Sequence, residues 1–496
     1  MLYYFILFFL AQRIQEQHKD TLQNFFLSNR NAPWQLVAFG MVGTLLSGVT
    51  FVSVPGDVGK EIAPGVYKGM GYLQLILGSL IGTFCIVKFL LPLYYRHQLI
   101  SIYAYLGQRF GRKTYLTGAW LFLISRTLGS AIRLYLAAFL LQFLIFDNLN
   151  IPFFINAFIS LALILLYTQK GGIQTIIWTD IFQTTVMLLA LLGTLIFLFF
   201  SLQVPKTIFA FTQGPYSQIF FLDWRLPNHF LKQLISGIAI TLVMTGLDQD
   251  MMQKNLTCRT LAQSQKNMIV SGILYTLVNI LFVSLGVLLY TFAQENCISL
   301  PAATDQVYPF LATHYFGNWV SILLVLGIVA ATYSSADGSL TALTTSFCVD
   351  IYQLEKKLNF LSEEGAIKFR KKVHLSFALV FAALLVIFYY FHSVQIGRTN
   401  IITIILQLAG YTYGPLLGLY SLGIFTSVNP PDRCVPWICL LVPIICYFIQ
   451  KYSFVLGGYN FGFELIFVNA LLVFGACLVT TWIERLYNSH LKKLTR

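Results

Sequence analysis

The chain has 496 residues, of which 57% are hydrophobic and only 10% charged, and its mean hydropathy is +0.73. A soluble domain carries about 25% charged residues, so a soluble enzyme or soluble binding module is excluded. The net charge of +13 would suit a nucleic-acid binder, but the placement of the basic residues argues for a membrane and against nucleic acid.

Thirteen apolar stretches run along the chain, roughly 2–12, 34–55, 72–95, 114–145, 151–169, 174–203, 230–248, 268–293, 318–349, 373–392, 399–427, 434–450 and 463–483. Most are long enough to cross a hydrocarbon core of about 30 Å as a helix. Span one is short for a crossing. It does not read as a cleaved signal peptide, because no small-residue cleavage site follows and no basic region precedes it. With the N-terminus outside, the inner loops collect 22 Lys and Arg residues and the outer loops six. That bias sets an outside N-terminus and a cytoplasmic C-terminus. Lys254 is counted among the inner-loop residues. The eight cysteines show no metal-ligand spacing and read as small buried hydrophobes. The Asn255-Leu256-Thr257 sequon falls in a predicted inner loop and carries no weight. The polar stretch Gln353–Lys372 reads as a solvated connector.

Polar residues inside the spans carry the functional signal. A charge at the bilayer centre costs roughly 3 kcal/mol or more, so such residues face the protein interior. Arg126 and Arg133 lie seven residues apart in span four, on one helical face. Asp180 lies in span six and Asp337 in span nine. Lys88 and Lys232 sit nearer span ends, where their stems can snorkel. Two readings of the arginines stay open: structural neutralisation of Asp180 and Asp337, or capture of an anionic solute by Arg133.

Span two contains GTLLSGVTFVSVPG (Gly43–Gly56), whose small and hydroxyl residues disfavour a continuous lipid-facing helix. One reading is close packing of small residues. The other is an unwound stretch whose freed carbonyls hold a cation. In span nine, Ser334, Asp337 and Thr341 share a face, with Ser335 and Ser339 beside it. Serines can satisfy themselves by bonding back to the preceding turn. A carboxylate among them needs a counter-charge or an ion, and small hard cations prefer oxygen ligands.

Three motifs resemble the sodium/solute symporter family, which includes sodium/sugar, sialic acid and proline symporters. They are GGIQTIIWTDIFQ (Gly171–Gln183), GLDQDMMQKNLTCRT (Gly246–Thr260) and the span-nine stretch ending SFCVDIY (Ser346–Tyr352). FFLSNRNAPW before span two and YLGQRFGRK (Tyr105–Lys113) also fit. The resemblance covers nearly the whole chain. It implies an all-α polytopic fold of the LeuT-like type, with two inverted five-helix repeats. The expected parts are a flanking helix within 1–33, repeats over about 34–203 and 230–427, and C-terminal helices within 434–496. It also implies alternating access around a midplane site.

By position, the resemblance implies a sodium site from the carbonyls of Gly43, Leu46 and Ala331 and the hydroxyls of Ser334 and Ser335. In some members a second cation uses the aspartate of the WTD motif, here Asp180, with hydroxyls one turn beyond the paired serines. Asp337 and Gly338 stand there instead. The second site is therefore rebuilt around Asp180 and Asp337, takes a proton, or is lost with Asp337 paired to an arginine. Substrate contacts map to Ser47, Thr50, Arg133 and Gln407. The expected function is sodium-coupled import of a small organic solute, with an organic anion such as a sialic acid or other carboxylate favoured over a sugar or amino acid. The coupling ion is sodium, the surroundings are membrane lipid of the inner (plasma) membrane, and no obligate protein partner is evident. No catalytic residue is expected. A channel would lack occlusion. A sensor of the same fold would carry a signalling domain.

Overall fold

The computed structural model describes residues 2–17, 21–202, 204–226, 228–357, 362–395, 401–457, 459 and 461–494. Nearly all of it is helix, as a chain with hydrocarbon around it must be, because no water is present there to satisfy open backbone groups. Among the described residues, eight helices are long and apolar enough to cross a membrane: Gly69–Arg96, Arg112–Phe146, Gly172–Leu202, Leu261–Glu295, Gly317–Ile351, Glu363–Tyr390, Val435–Ser453 and Leu465–Asn488. These are spans three, four, six, eight, nine, ten, twelve and thirteen. Two more spans are bent pairs. Trp34–Leu45 and Gly48–Asp57 form span two and meet at 58°. Phe230–Gly246 and Gln249–Leu256 form span seven and meet at 63°. Span one appears as the shorter apolar helix Tyr3–Ile14, span five as Phe153–Gln169, and span eleven as Ile401–Phe425.

Span seven corrects the sequence reading. Its expected end was residue 248, yet the helix resumes at Gln249 and runs to Leu256. The second half is polar (QDMMQKNL), so hydropathy alone reads it as a loop. Every residue of that half is nevertheless buried. It packs against spans two, eight and nine, and Asp248 caps its start by accepting from the backbone N–H groups of Asp250 and Met251.

Spans five and six join through Gly172, whose φ of 53° suits a residue without a side chain. A Cβ there would also run into Phe25. The joined rod gives span nine its most extensive packing. Span nine is buried along its whole inner two-thirds, from Gly327 to Ser346, so its polar residues face protein rather than lipid. A short antiparallel hairpin, β1 (Glu61–Ala63) and β2 (Val66–Tyr67), follows span two. Of the eight cysteines, Cys258, Cys348, Cys439, Cys446 and Cys477 are buried, in line with their reading as core residues.

Candidate functional site

The break in span two frees two carbonyls. In a continuous helix the N–H of Ser47 would bond the carbonyl of Gly43, and that of Thr50 would bond Leu46. Here the Ser47 N–H donates to Thr50 Oγ1 at 3.3 Å, and the Thr50 N–H donates to the Ser47 side chain. This capping box diverts both donors. Leu46 is extended (φ −93°, ψ 117°) and so is Ser47 (φ −101°, ψ 169°). The carbonyls of Gly43 and Leu46 are thus released from the i→i−4 ladder.

Span nine faces this break. A Cβ on Gly43 would lie 3.3 Å from Ser334 Oγ and collide with Thr184. One on Gly48 would collide with Thr332. The glycines therefore let the broken strand of span two approach spans six and nine closely. Ser334 Oγ donates to Asp180 Oδ1 at 2.6 Å. Ser335 Oγ and Thr184 Oγ1 are buried and, among the described residues, have no hydrogen-bond partner. A buried hydroxyl without a partner is costly, so both are oxygens available to a ligand. Ala331, one turn earlier on span nine, is also buried.

Asp180 is held differently from the sequence reading. Its Oδ2 accepts from Lys254 Nζ at 2.6 Å and from Thr44 Oγ1 at 3.2 Å, and Lys254 also donates to Thr44. Lys254 is 1% exposed, so it is a buried counter-ion and not an inner-loop residue. Arg126 donates to Asp248 Oδ2 at 3.3 Å, to Asp250 and to Ser339 Oγ at 2.9 Å. Tyr413 OH donates to the same Asp248 oxygen at 2.8 Å. The reading in which the arginines neutralise Asp180 and Asp337 is therefore overturned. Lys254 serves Asp180, and Arg126 serves the two aspartates of span seven. Among the described residues Asp337 has no arginine or lysine within ion-pair range. It accepts from Tyr167 OH at 3.0 Å.

Gly338, which replaces an expected hydroxyl, has a packing reason. A Cβ there would sit 2.6 Å from Asp250 Oδ1, and Arg126 holds that carboxylate in place. Among the described residues, four buried carboxylates (Asp180, Asp248, Asp250, Asp337) face two engaged cations (Lys254, Arg126). Even with Arg133 nearby, the carboxyl groups outnumber the cationic side chains.

Beside this cluster lies a cavity of about 110 Å³ lined by Ser47, Thr50, Tyr72, Arg126, Arg133 and Tyr275, among others. Three of the four substrate residues named from sequence therefore share one wall. Arg133 is half-buried and, among the described residues, has no hydrogen-bond or ion-pair partner. A smaller adjoining space joins Arg133 to Leu408 and Ala409 of span eleven. Gln407 precedes them in the helix, but its side chain lies outside the described residues. Sequence reasoning missed Lys254, Asp248 and Asp250. The clue was Asp248 itself, an N-cap residue ahead of a segment that spaces Asp250 and Lys254 four apart.

The model of the sodium:solute symporter family matches residues 25–429. The chain belongs to the sodium:solute symporter family. It is 26% identical over 422 residues to a sodium/sialic acid symporter of Aliivibrio fischeri, covering 82% of this chain and 79% of the relative. It is 26% identical over 458 residues to a sodium/sialic acid symporter of Proteus mirabilis, with 90% and 87% covered. A solved Na⁺-coupled sialic acid symporter in a substrate-bound outward-open state superimposes with a TM-score of 0.81 at 20% identity, over 97% of this chain and 96% of that one. As a member of the symporter family, the chain is a multi-pass membrane protein with the LeuT-like inverted-repeat fold, and it couples movement of a small solute to sodium.

Proposed function

We propose that the symporter holds its coupling sodium between the carbonyls of Gly43, Leu46 and Ala331 and the hydroxyls of Ser334 and Ser335. The observation that carries this reading is the Ser47–Thr50 capping box. It releases two carbonyls opposite a buried serine hydroxyl that has no hydrogen-bond partner among the described residues, in a cluster with more carboxyl groups than cationic side chains. Sodium there ties span two to span nine and completes the wall that carries Ser47 and Thr50. Solute and ion then favour the same conformation, which is what coupling requires. At about 100 mV one charge crossing inward supplies roughly 2.3 kcal/mol. Each coupled sodium thus supports more than about tenfold accumulation.

The solute is an organic anion, held by Arg133 with Ser47, Thr50 and Gln407 around it. The sialic acid symporters among the relatives support an anion. Asp180 and Asp337 form a second cation position, with Lys254 already filling part of it. The repeats run over about 34–203 and 230–427. The N-terminus faces outside and the C-terminus the cytoplasm, in the plasma membrane. The protein moves its solute without covalent chemistry.

The test is sodium titration of the purified full chain, with choline replacing sodium and thermal unfolding as the readout. Sodium is expected to stabilise the wild type, and Ser335→Ala to need about tenfold more sodium for the same shift. Identical sodium responses in both proteins would remove this site.

A further inference from the structure

Resting on the sodium and anion readings above, we propose that Asp250 is a positioning residue that carries the arrival of sodium to the solute cavity: it takes over Lys254 and loosens its hold on Arg126.

Asp250 is 1% exposed, and its two oxygens are used unequally. Oδ2 accepts from Arg126. Oδ1 accepts no hydrogen bond among the described residues, and Lys254 Nζ stands 3.9 Å from it. That is an ion contact, about 1 Å longer than a charge-assisted hydrogen bond. A buried carboxylate oxygen left open is costly, and a lysine is a point charge on a flexible stem. Lys254 Nζ instead sits 2.6 Å from Asp180 Oδ2. The ammonium therefore has two seats, one filled and one open.

The filled seat borders the proposed sodium site. Asp180 accepts from Ser334 Oγ at 2.6 Å. Thr44, which donates to the Asp180 oxygen that Lys254 uses, follows Gly43 in span two. Sodium on the Ser334 hydroxyl and the Gly43 carbonyl brings a second positive charge to this cluster. Like charges repel strongly where water is scarce. Sodium is fixed by its ligands, so the ammonium gives way, toward the open oxygen of Asp250.

The open seat borders the solute cavity. Arg126 lines that cavity together with Arg133. Its guanidinium is turned to Asp248 at 3.3 Å, to Asp250 and to Ser339 at 2.9 Å. Once Lys254 shares the Asp250 charge, Arg126 holds Asp250 less tightly and keeps Asp248. A freed N–H group then faces the cavity beside Arg133. Without sodium a solute carboxylate meets one available guanidinium, and with sodium it meets two. The converse follows by linkage: an anion that draws on Arg126 leaves Asp250 to Lys254 and Asp180 to sodium. Coupling of this kind needs an element with two discrete arrangements, and the Lys254 ammonium, poised between two carboxylates, is that element.

The experiment labels the arginines of the purified full chain with 2,3-butanedione, a small reagent for guanidinium groups, and reads each site by mass spectrometry. Arg133 lines the same cavity, so the ratio of Arg126 to Arg133 labelling cancels changes in reagent access. In the wild type that ratio is expected to rise about threefold or more when sodium replaces choline. Asp250→Asn leaves Arg126 on Asp248 and removes the second seat for Lys254, so its ratio is expected to be high in both salts. Lys254→Gln removes the moving charge, so its ratio is expected to stay low in both. A merely loosened fold would raise labelling in both variants, and the opposite signs separate a relay from structural damage. Asp250→Glu is expected to restore the sodium response. A wild-type ratio equal in sodium and choline overturns the relay, and so does a wild-type response retained in Asp250→Asn. If Lys254→Gln fails to accumulate, the wild type and Asp250→Asn still decide. Failure of the sodium reading looks different, because sodium would then not stabilise the wild-type protein over choline. Sodium stabilisation with an unchanged labelling ratio sinks the relay alone.

Discussion

The two broken spans solve the same geometric problem with different chemistry. Span two breaks at Leu46–Ser47 and span seven at Leu247–Asp248, with bends of 58° and 63°. The first break is closed by neutral hydroxyls, which divert N–H groups and leave carbonyls bare. The second is closed by a carboxylate cap, whose charge Arg126 balances and to which Tyr413 donates a hydrogen bond. One break is thus open to a mobile cation, while the other carries its cation as a side chain. With sodium at the proposed site, such a division would let the ion act on span two without competing for the charge that holds span seven.

The largest expected effect comes from removing the fixed cation. Arg126→Leu leaves Asp248 and Asp250 buried and unpaired, a loss on the order of 3–5 kcal/mol. The purified protein should unfold at a clearly lower temperature, or fail to accumulate. A wild-type melting temperature in Arg126→Leu would show that span seven does not need its built-in charge.

Next is the pair that bridges the two halves. Lys254→Met strands Asp180 and should cost a similar but smaller amount, since Thr44 and Ser334 still donate to it. Adding Asp180→Asn should recover part of the loss, because removing both charges is milder than removing one. A double-mutant cycle on thermal stability measures this. Strict additivity would mean that the pair is not coupled.

Ser335→Ala comes third, with a roughly tenfold shift in sodium half-saturation, equivalent to about 1.4 kcal/mol, and little change in stability without sodium. The smallest effect belongs to the cap. Thr50→Val removes the acceptor for the Ser47 N–H, a change of about 1 kcal/mol. It should weaken sodium binding, because the released N–H can return to the Gly43 carbonyl. Sodium titration of Thr50→Val checks this, and tighter binding would contradict the capping-box account.

Much of this comparison was legible in the sequence. The Gly, Ser and Thr content of Gly43–Gly56 announced a break, and the shared face of Ser334 and Asp337 announced a polar wall, because both are oddities within apolar runs. Span seven was harder. Its inner half is polar and scores as a loop, and only tertiary packing makes it a buried helix. For the same reason Lys254 looked like one more topology-setting lysine. Its neighbour Asp250 sits at helical spacing, but the partner Asp180 lies 74 residues away in the chain, a distance that periodicity does not report. Arg133 was read correctly as inward-facing, yet the sequence could not show that Arg126 alone would be saturated.

Gly338 has a consequence for how this lineage can change. Its bare backbone is the berth for the Asp250 carboxylate, so Gly338→Ser alone would push against a group that Arg126 pins. Shrinking Asp250 first would strip the arginine of one partner. Each step is unfavourable alone, and only the two together lead elsewhere. Positions 338 and 250 are thereby coupled, and a side chain at 338 should be tolerated only beside a smaller residue at 250.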